Sequence, residues 1–190
     1  MAAVWTGMLL VVSLFHLPAF EWTRVQVWFW FFAYVAFPLA GGWLAWHHRS
    51  ASYAASGATA RSVHLRAFLV IGAVCLLLAL ALFLAPQALA EIWPWPIDTL
   101  LAQIYSGPFL SYSVGGLLLS RCTHQAEMRL PALSVLSFTV FVLVASVLHR
   151  EVFGPLGASA IVWFGGFAIV ATVSALALGD RGHKQEPSDG

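Results

Sequence analysis

The sequence predicts an all-α fold, a polytopic membrane bundle of about six transmembrane helices. Three observations carry that expectation. Of 190 residues, 61% are hydrophobic and 9% charged, against about 25% charged in an ordinary soluble domain. The apolar residues fall in runs near the roughly 20 residues needed to cross hydrocarbon. The charged residues gather in the connections, so the runs are free to satisfy their backbone polar groups internally as helices. The net charge of +1 gives no electrostatic case for nucleic acid. The partner that the composition implies is the lipid bilayer.

The first run, Ala2–Pro18, is the shortest. No Lys or Arg precedes Arg24, and without a basic n-region or a small-residue cleavage site the run reads as a retained helix rather than a secretory signal. The second, Val25–Trp46, is aromatic and ends in a loop with His47 and His48. The third is Ala67–Ala90. Glu91–Ile97 then reads E-I-W-P-W-P-I. Pro94 and Pro96 lack an amide hydrogen, which makes this a rigid extended turn, and Asp98 is placed to cap the next helix.

The fourth run, Asp98–Ser120, is the most polar, with Gln103, Tyr105, Ser106, Ser111, Tyr112 and Ser113. Its Gly107, Ser111 and Gly115 recur every fourth residue as a stripe for close helix packing, and Pro108 is expected to bend it. The fifth and sixth runs are Leu130–His149 and Gly157–Leu178. These runs read as one bundle, residues 1–178. The tail, Gly179–Gly190, has no apolar residue to bury and is expected to be disordered.

Lys and Arg set the orientation. Arg49, Arg61, Arg66, Arg121, Arg129, Arg181 and Lys184 fall on one side of a six-span arrangement, and Arg24 and Arg150 on the other. Both termini are therefore expected in the cytoplasm, with the chain in the inner membrane. Trp5, Trp22, Trp43, Trp46, Trp93 and Trp95 lie near span ends, as interfacial aromatics do. Cys75 lies in an apolar run and Cys122 in a polar loop, which favours two free thiols over a disulfide.

Part of the chain reads as though it occurs twice. Ser13, His16 and Phe20 align with Ser146, His149 and Phe153. After a connection taken as two residues longer in the second copy, Val27, Trp28, Phe29, Phe32, Ala33, Val35 and Ala36 match Val162, Trp163, Phe164, Phe167, Ala168, Val170 and Ala171. The reading is a parallel duplication of a helical hairpin, with an implied pseudo-twofold axis along the membrane normal.

Candidate chemistry is sparse. His16 and His149 would lie at matched depth near the outer surface, and imidazole is a metal and haem-iron ligand. The bland reading, interfacial histidines bonded to water or backbone, is favoured over a bis-His haem centre. His47, His48, His64 and His124 stand on the other side. The polar fourth run could line a cavity for an apolar ligand through Gln103, Tyr105 and Tyr112, although a central packing helix is the simpler account. No charge lies in the middle of a span, which counts against an ion-coupled path. No nucleophile–base pair, phosphate-binding glycine loop or paired carboxylates occur, so the sequence offers no positive support for an enzyme and calls for no cofactor.

His16-x-x-x-Phe20, Trp28-x-Trp30-x-x-x-Tyr34-x-x-x-Pro38 and Trp93-Pro94-Trp95-Pro96-Ile97-Asp98-Thr99 together resemble an uncharacterised family of bacterial integral membrane proteins. That family has a similar His…Phe hairpin, an aromatic helix ending in Pro and a W-P-W-P-L-T turn. The likeness spans Leu10 to Ser120, and Asp98 departs from the Thr of the pattern. It implies a multi-pass membrane protein, with further spans preceding this region in other members, and no activity. The Trp and Pro spacing does not follow that of tryptophan-rich sensory proteins. The expected function is accordingly a non-enzymatic accessory subunit, with a membrane-protein partner or a second copy, or a binder of an apolar ligand. The alternatives are a carrier for a neutral or amphipathic substrate and, behind it, a haem-binding redox protein.

Overall fold

The fold is described from a computed structural model covering residues 1–48, 62–122, 124–153 and 157–180. Among the described residues seven α-helices run in order: α1 (Ala2–Phe15), α2 (Val25–His47), α3 (Ser62–Leu84), α4 (Pro86–Ile92), α5 (Thr99–Leu119), α6 (Gln125–Leu148) and α7 (Ala158–Gly179). Short 3-10 turns, Leu17–Ala19 and Arg150–Phe153, follow α1 and α6. The all-α bundle expected from the sequence is what forms. The expected disorder of the tail, and Arg49, Arg61, Arg181 and Lys184, lie outside the described residues.

Four helices, α2, α3, α6 and α7, are long and apolar enough to cross a membrane. At 1.5 Å per residue, α1 with 14 residues is about 21 Å long, short of a hydrocarbon core of about 30 Å. With 21 residues, α5 has the length, but its polar residues dilute its apolar character. Those residues are inside: Ser106, Ser111 and Ser113 are buried. Pro108 lies within a continuous α5.

Four helix boundaries differ from the expected ones: α1 ends at Phe15 rather than Pro18, α3 begins at Ser62 rather than Ala67 and so includes His64 and Arg66, and two more lie at Ala85 and at the start of α6. The run 67–90 is two helices, because Ala85 precedes a proline and leaves the helical region (φ −131°, ψ 54°); the proline ring disfavours helical backbone one residue earlier. Pro86 then opens α4 at its first position, where its missing N–H costs nothing. At the start of α6, His124 takes the cap position and Glu127 sits in the first turn, where a carboxylate complements the helix dipole. The helix therefore starts at Gln125 rather than Leu130 and includes Arg129. Asp98 caps α5 as expected, accepting from the Leu101 N–H at 2.7 Å, and both cysteines are free.

The span 1–178, read as one bundle, divides into two compact units. One comprises Met1–Ser52 and Gly72–Val114, the other Tyr53–Ile71 and Gly115–Gly190. The first contains the hairpin α1–α2, the second the hairpin α6–α7.

These hairpins carry the same internal bonds, 133 residues apart. The Trp30 indole N–H donates to Ser13 Oγ at 3.0 Å, and the Trp163 indole N–H donates to Ser146 Oγ at 3.0 Å. Phe20 meets Phe31 with ring centroids 5.2 Å apart, and Phe153 meets Phe164 at 5.2 Å. Trp30–Tyr34 at 4.5 Å is matched by Trp163–Phe167 at 4.6 Å. Thr6 bonds back to the Ala2 carbonyl at 2.8 Å and Thr139 to that of Val135 at 2.7 Å. Both first helices end on a histidine, His16 (φ −115°, ψ 29°) and His149 (φ −108°, ψ 33°).

This register corrects the one expected from residue identity. The connections have equal length, with Phe15 and Val25 answering to Leu148 and Ala158, and Trp163 is the counterpart of Trp30 rather than Trp28. In runs rich in Phe, Val and Ala, identities accumulate in a wrong register. The directional Trp–Ser bond is made in only one.

Close approach also matters in the first hairpin. A Cβ on Gly41 would sit 2.5 Å from the Ala3 Cβ, so α1 and α2 meet there only because position 41 is glycine.

Each Trp–Ser bond is expected to couple the helices by about 0.6–1.7 kcal/mol, the range for interhelical hydrogen bonds in a membrane. A double-mutant cycle with Ser13→Ala and Trp30→Phe, repeated with Ser146→Ala and Trp163→Phe, measures both by reversible unfolding in mixed micelles. Similar coupling in the two hairpins is the expected result.

Candidate functional site

The residues with chemical potential in the first unit are drawn together around His16. Three elements place them. α1 stops at His16; α3 stops just before Pro86, which frees carbonyls of its last turn; and α5 brings Gln103 between them. The Gln103 Nε2 donates to the Phe83 carbonyl at 3.0 Å. That fixes the amide so that Oε1 faces His16, whose Nε2 is 2.6 Å away. An amide oxygen only accepts, so His16 Nε2 carries a proton and donates. Ser106 Oγ donates to the Gln103 carbonyl at 2.5 Å.

The same face of α5 continues along α1. A Cβ on Gly107 would meet Trp5 Cδ1 at 3.2 Å and Met8 Cβ at 3.7 Å, and Ser111 Oγ donates to the Met1 carbonyl at 2.8 Å. The stripe expected at Gly107 and Ser111 is thus the surface that seats α1. Trp5, placed by sequence among the interfacial tryptophans, packs against α5 here.

The candidate ligand residues do not share one face. Tyr105 is two residues, or about 200°, from Gln103 around the helix. It stacks on Trp93 (5.7 Å, 19°) and meets Trp95 edge-on (6.1 Å, 82°). The W-P-W-P turn is in this way fastened to α5. Tyr112, two turns further along, lies near Cys75 of α3.

His16 and His149 are matched in position within their hairpins but not in surroundings. His149 lies in the second unit with 72% of its side chain exposed, and its Nδ1 is 3.6 Å from Glu151 Oε1. Iron bound through His16 Nε2 would displace Gln103. Among the described residues no three or more His, Cys, Asp or Glu side chains are grouped to hold a metal ion.

Two further histidines have local partners. His47 stacks on Trp43 (5.3 Å, 15°). His64 and Asp180, both largely buried, lie 3.3 Å apart, and the Gln125 amide also bonds to the Asp180 carbonyl. This pins the start of α3 and α6 to the end of α7, beside a core of Phe68, Leu119, Met128, Ala132 and Ala177. Burial first, then the nearby Glu127, holds the Cys122 thiol above its ordinary pKa, so it is protonated and weakly nucleophilic at neutral pH.

Sequence reasoning singled out His16 and Gln103 separately and missed that they meet. It also missed Trp30 and Trp163 as interhelical donors; the signal was the Ser-to-Trp spacing of 17 residues in each hairpin.

Comparisons with protein-family models, with curated proteins and with solved structures found no match.

The His16–Gln103 bond predicts a proton on His16 Nε2. Nitrogen-15 NMR of the labelled protein should show that Nε2 proton hydrogen-bonded, and Gln103→Leu should abolish the bond. The same variant strands the Phe83 carbonyl and is expected to cost about 1–3 kcal/mol.

Proposed function

We propose that this protein is a non-enzymatic accessory subunit of an inner-membrane assembly, with both termini in the cytoplasm. The observation that carries the reading is that the polar groups around His16 are spent on one another. Both ends of the Gln103 amide are bonded, one to His16 and one to Phe83, and Ser13 accepts from Trp30 while donating to the Leu9 carbonyl at 2.7 Å. Groups so engaged hold helices in register and are poorly placed for proton transfer, nucleophilic attack or metal binding. What the protein offers outward is apolar: Phe29, Phe32, Phe141 and Val162 are each at least 70% exposed.

One observation favours a second reading, a carrier or binder of a small neutral molecule. Ser113 of α5 is fully buried and its hydroxyl has no partner, the kind of group that a polar ligand atom would satisfy.

Native mass spectrometry of the protein, gently extracted from its own membranes, separates these readings. The accessory role predicts a second membrane protein in fixed stoichiometry. A monomer carrying only lipid defeats it. The carrier reading then predicts substrate flux into liposomes that falls in a Gln103→Leu, Tyr112→Phe variant.

A further inference from the structure

We draw no further inference here: the strongest candidate, the exposed stripe of Ile161, Gly165, Ala168, Thr172 and Ala175 along α7, is a face of mostly small residues, and nothing in the structure shows what covers it.

Discussion

The two hairpins depend on one constraint: a polar group inside an apolar bundle is stabilised by finding its partner within the protein. The serine hydroxyl near the end of α1 shows how that becomes architecture. Ser13 gives its proton to the carbonyl one turn back and receives the indole proton of Trp30. A serine and a tryptophan thereby hold two helices at one rotation and one register. Apolar packing alone does not do that, because lipid tails compete with Phe and Val for the same surfaces. The second hairpin uses the same solution with Ser146 and Trp163.

The first unit extends the principle. Pro86 ends α3 and leaves carbonyls without intrahelical donors. Gln103 answers one of them, at Phe83, with its nitrogen and turns its oxygen to His16. A residue that looks in isolation like a ligand contact is a joint between three helix segments. The glycine and serine that follow it at four-residue intervals let the rest of α5 lie close against α1. The two hairpins are alike in the bonds that hold each one together.

Much of the fold was legible in the sequence. α2, α5 and α7 end within two residues of the apolar runs that foretold them, because polar residues or a capping side chain stop each one. The break at Ala85–Pro86 was missed because hydropathy does not register a single proline. The early start of α6 was missed because its first turn is polar. The duplication was visible in Ser13, His16, Phe20 and their counterparts, but its helical register was not. Phe, Val and Ala match too easily to fix a register, and only the indole–hydroxyl bond distinguishes Trp30 from Trp28. The pairing of His16 with Gln103, 87 residues away, follows from how α1 and α5 pack and has no local signature.

The most direct test of the shared register uses short bis-maleimide cross-linking in a Cys75→Ala, Cys122→Ala background. Ser13→Cys is combined with Trp30→Cys or Trp28→Cys, and Ser146→Cys with Trp163→Cys or Ile161→Cys. The 13–30 and 146–163 pairs are predicted to link efficiently, and the 13–28 and 146–161 pairs to link weakly. Efficient linking of 146 to 161 in place of 163, with 13 linking to 30, would mean that the two hairpins do not share one register, and the account built on their equivalence would fall.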